Sequence, residues 1–179
     1  NGSAASATNL GRHNFERSEK ALGPDHRTTA KLANNYADML REIGAPAKAL
    51  ELDLFAIEKR VKRYGENHLN TLVTVNNAGQ DFLNLGRFDD ARRYFRRHRT
   101  IAVAMAPKDP SFAGQADAWL FYTDMLATGD AAISPADLTR LEAIVANEEN
   151  FADFLRIKAA VLAAGKREQR GEPDAGMRL

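Results

Sequence analysis

Apolar residues in this chain keep a helical period. Ala33, Tyr36, Ala37 and Leu40 fall on one stripe, and Val75, Ala78, Gly79 and Phe82 fall on another. Spacings of three and four put each set on one face, so the pattern predicts amphipathic helices rather than strands. Each predicted helix carries two asparagines near its centre, in LANNYADML at 32–40 and TVNNAGQDF at 74–82. Asparagine competes with the helix for backbone partners and is favoured at caps and turns, so its place at two helix centres asks for a reason.

The two asparagine pairs are 42 residues apart, and the spacing extends beyond them. Shifting 22–63 onto 64–105 also matches Gly23 with Gly65, His26 with His68, Thr29 with Thr71, Gly44 with Gly86, Ala49 with Ala91 and Val61 with Val103. These eight identities in 42 positions exceed the roughly three expected from average residue usage. Asp25, Asn67 and Asp109 precede the periodic segments and are the expected N-caps, with Pro110 at a first helical position. Gly44 and Gly86 fall where a first helix ends, since glycine tolerates the left-handed backbone that closes helices. Ala49 and Ala91 then supply small residues where a second helix returns against the first. The predicted unit is a helical hairpin that buries both faces only by stacking on neighbours, which defines an all-α solenoid.

Residues 107–148 keep the periodicity but lose the asparagine pair, and Thr128 stands where glycine is expected, with Gly129 one place later. Ser134 and Pro135 predict an N-cap and first position of a further helix reaching Asn147. The expected organisation is a repeat array over 1–148, then a capping helix over 149–168 and a tail over 169–179. Within the array lie a partial repeat at 1–22, repeats at 23–64 and 65–106, and a diverged repeat at 107–148. FERSEKALGPDH at 15–26 has the character of a second helix leading into the next cap. The expectation is therefore a piece of a longer array.

Composition narrows the function classes. A hydrophobic content of 44% and a charged content of 27% are those of an ordinary globular protein. Lys and Arg number 25 against 24 Asp and Glu, so no global field attracts nucleic acid or an acidic membrane. The chain has no cysteine, which excludes a disulfide framework and a thiolate metal site and fits a cytoplasmic setting. No run approaches the roughly 18 apolar residues of a membrane span.

The 42-residue unit carries LGPDH (Leu22, Gly23, Pro24, Asp25, His26), then Asn34, Asn35 and Ala37, then Gly44 and Ala49. Its second copy carries Gly65, His68, Asn76, Asn77, Gly79 and Gly86, then Arg87, Phe88, Asp89, Asp90, Ala91 and Phe95. Together these resemble the tetratricopeptide repeat (TPR) of the kinesin light chain type, closely over 15–110 and loosely over 111–148. The resemblance implies a right-handed α-α superhelix whose first helices line a concave face. It also implies that first-helix asparagines, here Asn34 and Asn76, hold the backbone of an extended peptide. Ala118 occupies that place in the third unit, so the implied role stops there. Asp53 and His98 depart from the pattern, standing where the family prefers an aromatic and an alanine, and looser packing is expected around them.

With the apolar stripe turned inward, Lys31, Asn34, Asp38 and Arg41 share the remaining face of the first unit. The same positions give Val73, Asn76, Gln80 and Leu83 in the second unit, and Gln115, Ala118, Tyr122 and Met125 in the third. An asparagine amide pairs with both N–H and C=O of a peptide. Asn34 and Asn76 are therefore the expected backbone grips, while Tyr122 and Met125 receive an apolar side chain. The alternative, that the asparagines bond a neighbouring helix, stays open for that pair and is the expectation for Asn35 and Asn77. RRYFRRHR at 92–99 puts Arg92, Arg96 and Arg99 on one face of a second helix, where a solvated surface is expected, an acidic partner or phosphate being the alternative. The four histidines form no HExxH or carboxylate cluster, no P-loop spacing occurs, and Glu148 and Glu149 look like a solvated helix end. The expected function is non-catalytic recognition of a protein or peptide ligand, with no metal, no cofactor, no membrane and no nucleic acid. A regulatory module of a larger signalling or transcription-regulating protein and a self-associating scaffold, hence a homo-oligomer, are the alternatives.

Overall fold

The computed structural model describes residues 2–106, 111–128, 134–146, 159–160 and 162–166. Among them run seven helices: α1 (Gly2–Leu22), α2 (Arg27–Glu42), α3 (Pro46–Tyr64), α4 (Leu69–Asn84), α5 (Phe88–Met105), α6 (Ser111–Ala127) and α7 (Pro135–Ala146). Residues 159–160 and 162–166 are also helical. The chain divides into two compact units, Asn1–Ala113 and Gly114–Leu179. The expected caps Asp109 and Pro110, together with Gly129, Glu148, Glu149, the first part of the 149–168 helix and the 169–179 tail, lie outside the described residues.

In the first unit each helix packs on the next, α1 on α2, α2 on α3, α3 on α4 and α4 on α5. The hairpin turns follow from the two glycines. Gly44 at φ 77° and Gly86 at φ 71° occupy the left-handed region. Gly44 N–H bonds Arg41 O and Ala45 N–H bonds Leu40 O, and Gly86 and Arg87 repeat this onto Leu83 and Phe82. That pair of bonds satisfies carbonyls the helix end would otherwise leave open. Each chain then returns along its own first helix, with Ala49 and Ala91 fully buried at the approach.

The caps fall one residue later than expected. Asp25 and Asn67 are not the capping residues; His26 Nδ1 accepts from Thr28 N–H at 3.2 Å and His68 Nδ1 from Asn70 N–H at 3.1 Å. The preceding loops are fixed by Thr29 Oγ1 donating to Gly23 O and Thr71 Oγ1 donating to Gly65 O. Asp25 is used instead by Lys59 and Lys62, and those cations hold its carboxyl below the usual range. Ser134 caps α7 as expected, accepting from Asp137 N–H and donating to the Asp137 carboxylate.

Apolar burial follows the two stripes. Ala33, Ala37, Val75, Ala78 and Phe95 are wholly buried, with Leu40 and Phe82 nearly so. Phe95 lies so close under Gly79 that a Cβ there would stand 2.6 Å from its ring. Burial of one such aromatic contributes on the order of 1.5–3 kcal/mol. The second unit has its own core, with Trp119 and Tyr122 from α6, Leu138, Leu141 and Ile144 from α7, and Ala159, Ala160 and Ala163. Trp119 meets Tyr122 edge-on at 6.1 Å, and the Arg140 guanidinium lies 4.2 Å from the Phe121 ring centroid.

Candidate functional site

Two polar features occupy the first unit, one an open cleft and one a buried cluster. The cleft has a volume of about 610 Å³ and is walled by the N-terminal parts of α2 and α4 and the C-terminal end of α3. Arg27, Lys31 and Arg60 supply its cations, Asn34, Asn35 and Asn70 its amides, and Tyr64, Leu69 and Val73 its apolar surface, with Thr28 completing the lining. None of these residues is acidic. Leu69 and Val73 are 48% and 45% exposed, so the apolar wall is open to solvent.

Arg60 is the unusual member. It is 7% exposed, and its Nη1 donates to Asn70 O at 2.8 Å and to Thr74 Oγ1. Both acceptors are neutral oxygens, so no carboxylate offsets the charge by direct contact. Burial lowers its pKa, while the more distant carboxylates of Asp53 and Asp38 oppose the shift. Tyr64 stacks on the His68 cap at 4.5 Å and carries the Arg63 guanidinium at 5.7 Å.

Of the residues expected to line a groove, the cleft brings together Lys31, Asn34 and Val73. Asp38 and Arg41 lie instead in the buried cluster. Arg41 donates to Asp53 Oδ2 at 2.6 Å, to Asp81 Oδ1 and Oδ2 at 2.7 and 3.2 Å, and to Asp38 Oδ1 at 2.7 Å. Burial alone would lower the Arg41 pKa, but the Asp81 hydrogen bond and the Asp81 and Asp53 charges hold it above its ordinary value. Asp53 and Asp81 are both fully buried, so the expected loose packing at Asp53 is replaced by a tight polar contact. Asn76 and Gln80 are half-buried, and Asn76 Oδ1 is shielded with no hydrogen-bond partner. Leu83 is buried at 5% exposure. In the second unit Tyr122 is buried, which raises its phenol pKa to about 12, and Met125 is half-buried.

Both asparagines of the first pair line the cleft, but only one of them is exposed there. Asn35, expected to face a neighbouring helix, is exposed and lines the cleft. Asn34 is 5% exposed and its Nδ2 donates to Asp53 Oδ1 on α3 at 2.9 Å. The cause is Asp53, a buried carboxylate that needs donors and draws the nearest amide inward. In the second pair Asn77 does reach a neighbouring helix, donating to Asp38 Oδ1 on α2 at 3.1 Å.

The arginines of α5 are largely engaged. Arg97 is bidentate to Glu66 at 2.6 and 2.9 Å, Arg92 pairs with Asp89 at 2.8 Å, and Arg93 lies 3.9 Å from Asp90. Among the described residues no cluster of His, Asp or Glu could hold a metal ion, and no helix is long and apolar enough to cross a membrane.

Neither protein-family models nor curated protein sequences match the chain. Among solved structures it is similar to BtubC (BKLC) from P. vanneervenii, with a TM-score of 0.65 at 16% sequence identity. The match covers 99% of this chain and 63% of that one, so the chain spans less than two thirds of that structure's length. The likeness shows the fold: helices packed as sequential hairpins in the tetratricopeptide arrangement of the kinesin light chain type, as the sequence resemblance implied.

Proposed function

We propose that this chain is a non-catalytic interaction module that takes an extended, acidic segment of a partner protein into the cleft between α2 and α4. The observation that carries the reading is the lining itself, with three cations, three amides and no carboxylate beside an exposed apolar wall. A carboxylate entering the cleft supplies the counter-charge that Arg60 lacks by direct contact, and charge-assisted bonds of that kind are the stronger ones. Arg27 and Thr28 open α2, and Leu69 and Asn70 open α4, so two helix N-termini add positive potential at the same place. Asn35 and Asn70 are exposed amides able to pair with peptide N–H and C=O, and Leu69 and Val73 accept an apolar side chain. Fold alone does not assign a ligand, so the weight rests on the cleft's chemistry.

A display selection of random peptides against the chain tests this. The expected outcome is enrichment of peptides that combine acidic with apolar residues. Their affinity should fall at least about tenfold, or 1.4 kcal/mol, in a Lys31→Glu/Val73→Glu variant, whose exposed substitutions leave the core untouched. Selected peptides that bind this variant as tightly as the parent would overturn the assignment, and so would failure to enrich any peptide.

A further inference from the structure

The buried cluster contains an imbalance that the cleft does not explain. Arg41 on α2 is 12% exposed, while Asp53 on α3 and Asp81 on α4 are 0% exposed. One buried cation therefore faces two buried carboxyls. Asp38 adds a third, but at 48% exposure its charge is shared with solvent. We propose that Asp53, Arg41 and Asp81 form a proton-operated latch, holding one proton between the two carboxyls when the α2–α3 hairpin is docked on α4 and loosening that docking when it leaves.

Geometry says where the proton sits. Asp81 receives two bonds from Arg41, through Nε and Nη2, and is the ionised partner of the guanidinium. Asp53 receives one bond from Arg41 and one from the neutral Asn34 amide. Both carboxyls lie on the one Arg41 guanidinium, Asp53 at 2.6 Å and Asp81 at 2.7 Å, so a proton on one of them relieves the repulsion between the two. Burial pushes the Asp53 carboxyl up to about 8; the Arg41 charge opposes this, and the Asp81 and Asp38 charges reinforce it. An unpaired buried carboxylate costs more than taking a proton from neutral water, so the cluster neutralises itself.

Every element packed on α3 contributes to this balance in a defined way. From α2 come Arg41, Asp38 and the Asn34 amide; from α4 comes Asp81; on α3 itself Arg60 adds a distant positive charge. Helix α1 meets α3 through the apolar edge contact of Phe15 with Phe55 at 5.8 Å. Asn77 donating to Asp38 is a second tie between α4 and α2 beside the cluster. When the proton leaves, two buried carboxylates face each other across the α3–α4 contact with one guanidinium between them. Separation of the helices and entry of water then relieve the repulsion.

The sign follows from the folded and unfolded affinities. Asp53 is raised from 3.8 to about 8 on folding, so the folded state binds the extra proton and its stabilisation is lost as pH rises through about 8. The test is a carbon-13 NMR titration of the aspartate carboxyls in the full chain, assigned with Asp53→Asn. It is paired with hydrogen exchange of the α4 amides corrected for intrinsic rates. The expected result is one aspartate carboxyl titrating near 8 that is missing in Asp53→Asn. Corrected exchange in α4 should accelerate as pH rises toward about 8 and level off above it in the parent, and should not do so in the variant. If every aspartate is already ionised by about pH 5, the latch does not exist. A carboxyl that titrates without any change in α4 exchange would overturn the latch equally. The titration needs only the parent protein, so the proposal stands or falls even if Asp53→Asn does not fold.

Discussion

Replacing Arg41 with methionine removes the cluster's one cation and leaves the carboxyls in place. Four short contacts disappear, to Asp53 at 2.6 Å, to Asp81 at 2.7 and 3.2 Å and to Asp38 at 2.7 Å. Removing one partner of a buried ionic group typically costs about 3–5 kcal/mol, because the remaining charge is left without compensation. In a chain of this size each kcal/mol lowers the melting midpoint by about 2–4 °C, so Arg41→Met should melt about 6–20 °C lower. The loss depends on pH. Burial raises both carboxyls and the Arg41 charge opposes the rise, so without Arg41 the variant takes up as much as about one more proton than the parent. Its deficit then grows with pH by up to about 1.4 kcal/mol per unit through the neutral range. Urea denaturation followed by far-UV circular dichroism at about pH 6 and about pH 8 measures both quantities. A deficit under about 1 kcal/mol at the higher pH would refute the assignment of Arg41 as the buried counter-ion. An equal deficit at both pH values would refute it as well.

Gly79→Ala and Gly114→Ala should move stability in opposite directions, since both glycines are helical but only Gly79 has a ring 2.6 Å from the new Cβ, and Gly114 has nothing within 4 Å. Overpacking by about 1–3 kcal/mol exceeds the gain in helix propensity of about 1 kcal/mol at Gly79, whereas only that gain operates at Gly114; thermal melts of the two variants decide. His98 is 1% exposed, and burial lowers its pKa from 6.5 to about 4, so its contribution is present above 6.5 and lost as pH falls toward 4. The difference corresponds to about 3 kcal/mol. His98→Leu should abolish that acid-side loss in urea melts, and the loss persisting unchanged would place it in another group. Below 6.5 the His98 and Asp53 linkages oppose each other, so the Asp53 slope is measured above that pH.

The helices, hairpin turns and apolar core were legible because they repeat. Gly44 with Gly86 and Ala49 with Ala91 are identical at a shift of 42, and each performs the same backbone or packing job in both copies. Asp25 and Asn67 are ordinary capping residues, but His26 and His68 beside them hold equivalent cap positions in the two repeats, and it is their rings that accept the first-turn N–H groups. The cleft was partly legible. Lys31, Asn34 and Val73 follow from the first-helix stripes, but Arg60 and Tyr64 belong to the end of a second helix, which those stripes omit. A signal for them existed: the shift of 42 sets Arg60 against Ala102 and Asp53 against Phe95, and all four are buried. A charge standing in one repeat where the next has a buried apolar residue marks a polar anchor. Asp53 stands out in the sequence on that ground, but nothing there names its partner. Asp81 aligns with Met39 and, without the structure, has no reason to meet Arg41.

The central claim, that the α2–α4 cleft receives a peptide, is tested most directly by a photo-crosslinking residue placed at Val73 or, as a control, at Val103. Both valines are exposed, at 45% and 43%, but Val73 lines the cleft and Val103 lies on α5. A selected acidic peptide should crosslink at position 73 and not at 103. A bound peptide that crosslinks at 103 as efficiently as at 73, or that binds without crosslinking at 73, would contradict the account.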